Sequence, residues 1–204
     1  MWLHDGGRAP NPRRVQIFLK EKSIEIERVQ YDINALEQKS QAFTRLNPMQ
    51  TLPVLELDDG TAIGETVAIC RYFEETVPEP NLMGQTPLEK AQIEMWQRRA
   101  ELSFLLPVAF AFRHLHPGAS KIEPVQIEEW GRINQQRAVR FMGILDKELA
   151  SRDYVAGSRF TIADITTFVA CQFMKPARIA MDAAHRNLAG WFARIGERPS
   201  AAFD

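Results

Sequence analysis

A change of pattern at residues 78–84 constrains the fold of this chain more than any other feature. Before it, helical and strand periodicities alternate; after it, every long apolar stretch has helical spacing. The segment itself, PEPNLMG, combines two prolines with a glycine and has no periodicity, which is typical of a linker. The sequence therefore predicts two domains, residues 1–77 and 87–204, joined by a linker over residues 78–86.

The first domain is predicted to contain both β-strands and α-helices. Its apolar spacing predicts the order β-α-β-α-β-β-α, an α+β fold that ends in a hairpin and a helix. The predicted strands cover residues 1–4, 25–31, 54–57 and 61–63, and the predicted helices cover residues 11–22 and about 36–46 and begin again at residue 65. Asp58-Asp59-Gly60 supplies the hairpin turn.

The second domain is predicted to be all helical. A long helix carries an apolar stripe at alternating spacings of three and four, and Pro107 should kink this helix without ending it. The members of the stripe are Leu88, Ala91, Met95, Leu102, Leu105, Ala109 and Phe112. Residues 162–174 are apolar almost all round, as in a central buried helix, and Thr161 and Asp164 form a capping box at its start.

Composition excludes several classes of function. The chain has 204 residues, a formal net charge of −1 and only two cysteines, neither of them in a CxxC pattern. This argues against nucleic acid, an anionic membrane or a disulfide scaffold as the basis of function. His114 and His116 do not have the spacing of two ligands on one helix face, so no metal site is expected. With no apolar leader or membrane span in the sequence, we expect a cytoplasmic location.

Two short motifs could bind a ligand. Pro53 precedes an apolar strand, either as the first residue of an edge strand or as a cis proline that turns the backbone of Leu52 outward. Glu65 and Thr66 open a helix, either as ordinary capping residues or as an anion site, where Glu65 could also hold an ammonium group. A peptide with an amino-acid head group satisfies both motifs, and γ-glutamyl-cysteinyl-glycine has that shape.

The two motifs resemble the glutathione site of cytosolic glutathione transferases, including bacterial theta-, delta- and nu-like members. The run NPMQTLPVL at residues 47–55 and GETVAI at residues 64–69 carry the resemblance, and the capping box at Thr161–Asp164 is similar to that of the family's helical domain. The family's fold is a thioredoxin-like domain followed by a helical domain, usually dimerised. The resemblance implies that glutathione is a co-substrate, and that a homodimer acts on small electrophiles in detoxification.

The same resemblance assigns glutathione-binding roles. Leu52, beside Pro53, would pair its backbone with the cysteinyl part of glutathione, and Glu65 and Thr66 would hold the γ-glutamyl end. Gln50 occupies the position at which some classes of the family place a side chain near the glycine carboxylate of glutathione. Thr51 replaces a lysine that is common in the family, so that end of the ligand would be held less tightly.

The sequence differs from the family in the residue that activates the glutathione thiol. Residues 1–14 contain no Ser, Thr, Tyr or Cys, and Ala9 stands where theta- and delta-like members carry serine. Asn11 is the remaining local donor: it either stabilises the thiolate, as in bacterial members with a similar Pro-Asn pattern, or serves as a plain helix N-cap. Arg13 and Arg14 are expected to be solvated. The candidates for the second-substrate pocket are Trp96, Arg99 and Phe104 on the long helix.

Two hypotheses follow. The first is a glutathione transferase that acts on electrophiles or mixed disulfides, with disulfide reduction and peroxidase chemistry as variants of the same thiol reactivity. The second is a non-catalytic protein of transferase fold that serves as a protein-interaction scaffold, which the missing hydroxyl at Ala9 favours.

Overall fold

The chain divides into two compact units, residues 1–81 and residues 82–204. The computed structural model describes residues 1–202. Each unit has its own hydrophobic core and secondary structure.

The first unit contains one mixed four-stranded sheet. Its strands are β1 (Trp2–Asp5), β2 (Glu27–Gln30), β3 (Val54–Glu56) and β4 (Ala62–Ile63), in the spatial order β2-β1-β3-β4. β1 runs parallel to β2, whereas β3 is antiparallel to both β1 and β4. The helices are α1 (Pro10–Glu21), α2 (Gln41–Leu46) and α3 (Thr66–Thr76), and a 3₁₀ turn covers Glu37–Lys39. The predicted order β-α-β-α-β-β-α is confirmed, and it is that of a thioredoxin-like domain.

The position of β3 in the sheet settles one alternative for Pro53. β3 lies between β1 and β4, so Pro53 does not precede an edge strand. The proline stands just outside the strand, which begins at Val54, and therefore removes no hydrogen bond from the ladder. Val54 and Leu55 are fully buried against the helices of the unit.

Residues 77–81 are tied back onto the first unit by a buried ion pair. The Lys22 ammonium group, at the end of α1, lies 2.8 Å from the Glu74 carboxylate in α3. It also donates to the carbonyl oxygens of Val77 (2.6 Å) and Pro80 (2.9 Å). The first half of the predicted linker is thus anchored to the first unit.

The second unit is all helical. It contains α4 (Pro87–Ala100), α5 (Leu106–Leu115), α6 (Glu128–Leu149), α7 (Ile162–Phe173) and α8 (Arg186–Gly196), with 3₁₀ turns at Pro117–Ala119 and Pro199–Ala201. A π-helical segment, Glu101–Leu105, joins α4 to α5 without a break just before Pro107. The helix is thus continuous through the proline, and the irregular turn accommodates the missing N–H of Pro107.

The first part of the predicted apolar stripe is exposed and not buried, whereas Leu105, further along it, is only 5% exposed. Leu88, Met95 and Leu102 are 68%, 40% and 50% exposed. The buried face carries Ile93, Trp96, Gln97 and Ala100 instead. Gln97 is buried because its Oε1 accepts a hydrogen bond from Thr166 of α7 at 2.8 Å, a contact that a count of apolar residues cannot reveal.

The start of α7 has the predicted capping box. The Asp164 carboxylate accepts from the Thr161 N–H at 3.0 Å and also from the Val155 N–H (2.9 Å) and the Trp191 indole N–H (3.2 Å). Burial raises the pKa of Asp164 to about 6 in spite of these donors. The carboxylate therefore joins three separate segments of the helical unit.

The histidines have structural partners. His4 lies between the Tyr31 hydroxyl (3.0 Å) and the Glu56 carboxylate (2.8 Å), and His114 accepts from the Ile127 N–H at 3.0 Å. Within residues 1–202, no three His, Cys, Asp or Glu side chains are grouped in a way that could hold a metal ion. No helix in that range is both long enough and apolar enough to cross a membrane.

Candidate active site

The N-terminus of α1 has no side-chain cap. Its N-cap is Ala9, which makes no side-chain hydrogen bond, and no acidic residue lies in the first turn. Asn11 is the second helical residue, so its interpretation as an N-cap is wrong. Its Oδ1 accepts from Arg14 Nη1 at 3.1 Å, and its side chain is exposed. The amide N–H groups of Asn11 therefore lie at a helix end whose backbone donors favour negative charge.

The arginines that follow Asn11 were expected to be solvated, and this is wrong. Arg13 and Arg14 are each only 2% exposed. The hydrogen bond from Arg14 to Asn11 holds one of these guanidinium groups against the first turn.

A buried carboxylate fixes the loop between β1 and α1. Asp5 is fully buried and accepts from the Gly7 N–H and from Gln16 Nε2, each at 2.9 Å. Gln16 also donates to the Gly7 carbonyl at 2.9 Å. Gly6 lies close to two side chains: an added Cβ would lie 2.6 Å from Ile33 Cδ1 and 3.3 Å from Leu52 Cδ1, so a larger residue would require these side chains to shift. The loop that precedes Ala9 and Asn11 is thus packed directly against Leu52.

The loop before β3 presents the backbone of Leu52. The Leu52–Pro53 peptide bond is cis, and the Leu52 side chain packs in a small core with Phe43 and Val54. In the part of the chain that the structure describes, neither the N–H nor the C=O of Leu52 has a hydrogen-bond partner. Gln50, two residues earlier, has a positive φ of 55°, and its side chain donates to Thr44 Oγ1 at 3.0 Å.

Asn47 organises this loop, and sequence reasoning missed it. It is 8% exposed, and its Nδ2 donates to the Thr51 carbonyl (2.8 Å) and Oγ1 (3.2 Å). Its Oδ1 accepts from the Met49 N–H at 3.1 Å. An Asn-Pro pair before a turn favours such side-chain-to-backbone bonds, so the signal was present at Asn47-Pro48.

The start of α3 lies beside the same loop. An added Cβ on Gly64 would lie 3.9 Å from Asn47 Nδ2. Glu65 is the N-cap of α3 with φ 64° and ψ 122°, an unfavourable conformation for a residue with a side chain, and it makes no capping hydrogen bond. Strained non-glycine residues of this kind cluster at ligand sites. Thr66 is buried as the first helical residue, and the first turn contains no acidic residue.

The start of α1, the loop before β3 and the start of α3 share contacts through Gly6, Leu52, Asn47 and Gly64. α1 and α3 both begin without side-chain caps, whereas Ser40 and Thr86 cap α2 and α4 by accepting backbone N–H groups. Uncapped N-terminal N–H groups bind carboxylates or a thiolate. The backbone of Leu52, which has no hydrogen-bond partner among residues 1–202, can pair with a peptide as an added strand does.

The predicted second-substrate residues belong to the helical unit. Trp96 and Arg99 line a cleft of about 710 Å³ between the α4–α5 helix and α6. Phe104 does not line it: its side chain has no exposed area and packs against Phe141, with ring centroids 6.0 Å apart. Phe104 is therefore a core residue, because the π-helical segment turns it toward the interior.

Fold and site together define a protein with a thioredoxin-like unit and an all-helical unit, and comparison with known proteins agrees. Residues 9–76 match the glutathione S-transferase N-terminal domain family, and residues 124–194 match the glutathione S-transferase C-terminal domain family. Glutathione S-transferase 2 of Saccharomyces cerevisiae is 38% identical over 203 residues, which cover 98% of this chain and 87% of the yeast protein.

Solved structures show the same similarity over the whole chain. A glutathione S-transferase domain-containing protein of Marinobacter aquaeolei VT8 superposes with a TM-score of 0.95 at 36% identity, covering 99% of this chain and all of the other. Gtt2 of Saccharomyces cerevisiae superposes with a TM-score of 0.94 at 38% identity, covering 98% of each chain. The chain belongs to the glutathione S-transferase family.

Proposed function

We propose that this protein is a glutathione-dependent transferase whose first unit binds reduced glutathione and stabilises its thiolate for attack on a small electrophile. The observation that carries the proposal is that the first unit combines two uncapped helix N-termini with a Leu52 backbone that has no hydrogen-bond partner among the described residues. The family relationship supports it, since the similar yeast protein is named a glutathione S-transferase.

Each part of glutathione has a binding group. The cysteinyl backbone pairs with the N–H and C=O of Leu52, which Pro53 and the small core under it hold in place. The γ-glutamyl carboxylate accepts from the first N–H groups of α3 and from Thr66 Oγ1, while the Glu65 carboxylate holds the ammonium group. Gln50 lies next to the glycine end.

The chemical step needs a thiolate. An ordinary cysteine thiol has a pKa of about 8.5, so only a few per cent is ionised at neutral pH. The N-terminus of α1 and the amide N–H of Asn11 stabilise the sulfur anion, which replaces the role of a hydroxyl at Ala9. The thiol proton leaves to solvent, the sulfur lone pair forms the new bond to the electrophilic carbon, and the leaving group departs with its bonding electrons.

We assign the second substrate to the helical unit, in the cleft lined by Trp96 and Arg99. No metal takes part in this scheme. The two cysteines are free and buried, which fits a reducing compartment such as the cytoplasm, where conjugation of small electrophiles serves detoxification.

A homodimer is part of the proposal. Leu88 and Met95 are exposed apolar residues seven positions apart in α4, so they lie on one side of that helix. Exposed large apolar side chains on one helix face support a protein interface there. Light scattering should give twice the mass of one chain, and a Leu88→Glu/Met95→Glu variant should shift it toward one chain; a monomeric wild type would contradict the dimer.

The test of the glutathione site compares two glutamates. Glu65→Ala should weaken glutathione binding by about tenfold or more in calorimetry, with thermal stability unchanged because Glu65 is exposed. Glu25→Ala is the matched control: Glu25 is exposed near the start of β2, where the parallel β1 also begins, whereas the site lies where β1 ends. Equal affinity in both variants would remove the assignment of Glu65.

The scaffold hypothesis keeps one observation in its favour, the absence of a hydroxyl at the N-cap of α1. The scaffold hypothesis predicts a different experimental result from the transferase hypothesis. The protein would bind glutathione without lowering the pKa of its thiol, and it would not accelerate conjugation above the uncatalysed rate.

A further inference from the structure

A buried histidine lies on β1, the strand at the centre of the first unit. His4 is paired in register with Val29 of β2 and with Val54 of β3. Successive residues of a strand point to opposite faces of the sheet, so His4 faces away from Leu3 and Asp5, which are both fully buried. His4 is itself only 7% exposed. Burying a polar side chain costs stability unless its polar atoms are paired, so the partners of His4 indicate its role.

Both ring nitrogens of His4 are paired, each with a residue on a different side of β1. Nε2 lies 2.8 Å from the Glu56 carboxylate of β3, and Nδ1 lies 3.0 Å from the hydroxyl of Tyr31, the residue that follows β2. An ionised carboxylate can only accept, so Nε2 donates to Glu56, and Nδ1 of the neutral imidazole accepts from the Tyr31 O–H. Burial and the charge of Glu56 raise the pKa of Tyr31, which keeps the proton on its hydroxyl. His4 therefore restrains the hydroxyl end of the Tyr31 side chain.

The ring of Tyr31 belongs to the small core that supports Leu52. The rings of Tyr31 and Phe43 meet edge to face with centroids 4.9 Å apart, and Tyr31 packs against the core formed by Phe43, Leu52 and Val54. Phe43 also lies edge-on to the His4 ring, with 6.3 Å between the centroids. A continuous set of contacts therefore runs from His4 through Tyr31 and Phe43 to Leu52.

We propose that His4 is a positioning residue for glutathione, which acts through its hydrogen bond to Tyr31 and so keeps Tyr31 and Phe43 in the arrangement that supports Leu52. This rests on the proposed function in one respect, namely that the Leu52 backbone pairs with the cysteinyl part of glutathione. Without the bond, the Tyr31 hydroxyl loses its partner in a partly buried site and turns toward water, which disturbs the contact with Phe43. The Leu52 loop must then be reordered when glutathione binds, and the affinity falls.

Three single variants separate this hydrogen bond from the other contacts of His4. Tyr31→Phe removes the hydroxyl alone. His4→Gln still places an N–H donor near Glu56 but offers no acceptor to Tyr31. His4→Asn is shorter and places its amide oxygen near the position of Nδ1, where it accepts from the Tyr31 O–H.

Calorimetric titration of reduced glutathione should separate these variants into two groups. Tyr31→Phe and His4→Gln should each raise Kd about threefold to tenfold, whereas His4→Asn should stay within about twofold of the wild type. The double variant His4→Gln/Tyr31→Phe should bind no more weakly than either single variant, because both changes remove the same bond. The loss should be equal for S-methylglutathione, since Leu52 pairs with the peptide backbone and not with the sulfur.

Hydrogen exchange without any ligand gives an independent measure of the loop. The backbone N–H of Gln50 donates to the Asn47 carbonyl at 3.0 Å. Its exchange should be about threefold or more faster in Tyr31→Phe and His4→Gln than in the wild type or His4→Asn.

The matched control is Tyr72→Phe, the same chemical change in the same unit. The Tyr72 hydroxyl lies 4.0 Å from Met1 Sδ, near the start of β1, whereas the proposed site lies where β1 ends. This variant should change neither Kd nor the exchange of Gln50.

Several results would overturn the proposal. They are wild-type affinity in Tyr31→Phe, an equal loss in His4→Asn and His4→Gln, additive losses in the double variant, or the same loss in Tyr72→Phe. Tyr31→Phe keeps the aromatic ring, so it decides the matter even if a His4 variant does not fold. A wild type that binds no glutathione would show failure of the proposed function, and the exchange of Gln50 would then decide alone whether His4 orders the loop.

Discussion

Replacing Asn47 by alanine should weaken glutathione binding although Asn47 is not expected to contact the ligand. Asn47 makes three hydrogen bonds to the loop that carries Leu52, two from Nδ2 to Thr51 and one to Oδ1 from the Met49 N–H. Alanine removes all three. The loop would then sample conformations in which the Leu52 backbone no longer points into the site.

The magnitude follows from these contacts. A typical intramolecular hydrogen bond contributes about 1 kcal/mol net. Thr51 and Met49 are exposed, so water can replace part of the loss. We therefore expect Asn47→Ala to lower the free energy of unfolding by about 1–2 kcal/mol, a fraction of the 5–15 kcal/mol of a typical domain, so that the variant still folds. If reordering the loop costs about 1.4 kcal/mol on binding, Kd for glutathione rises about tenfold.

Urea unfolding and calorimetric titration of glutathione measure the two effects separately. Asp59→Ala is a suitable control, since it removes the bond from the Thr61 N–H to Asp59 Oδ1 (2.8 Å) in the turn between β3 and β4 but leaves the Asn47 contacts intact. A loss of stability with unchanged affinity would refute the reasoning, because the loop would then be either rigid without Asn47 or not part of the ligand site.

Two further predictions concern the thiol and the helical core. Asn11→Ala should raise the pKa of the bound glutathione thiol, seen as a shift in the pH titration of thiolate absorbance; an unshifted titration would assign the effect to the backbone of α1 alone. Asp164 has a native pKa of about 6, above its unfolded value near 3.8, so its contribution to stability is complete below about pH 4 and lost as pH rises through 6. The difference in unfolding free energy between wild type and Asp164→Asn should therefore fall by about 3 kcal/mol between about pH 4 and pH 7, and a difference that grows with pH would contradict the assignment.

Most of the fold could be predicted from local pattern. Strand alternation, helical spacing and the turn at Asp58–Gly60 gave the element order of the first unit, because each signal lies within a few residues of chain. The face of α4 could not be predicted in this way. Gln97 is buried through its bond to Thr166, 69 residues away, and the π-helical segment shifts the phase of the helix just before Pro107. Both effects depend on tertiary contacts that periodicity does not encode.

The residues proposed to face the ligand were easier to identify in the sequence than the residues that position them. Leu52 and Glu65 lie in short motifs that can be read directly. Asp5, Gln16 and Gly6 act through contacts between segments: a carboxylate buried under a loop, and a glycine pressed against Ile33 and Leu52. The adjacent glycines at positions 6 and 7 were the only local sign of this arrangement. Phe104 was predicted to line the second-substrate pocket but is a core residue. An aromatic residue on a helix beside a cleft can therefore face the core and not the cleft.

Calorimetric titration of reduced glutathione into the purified protein tests the central claim most directly, with S-methylglutathione as a comparison that cannot form a thiolate. The account predicts saturable binding at one site per chain, with tighter binding of glutathione than of the methylated analogue as pH rises and the bound thiol ionises. No binding of either ligand up to millimolar concentration would contradict it, because the Leu52 backbone and the two uncapped helix ends would then not form a glutathione site.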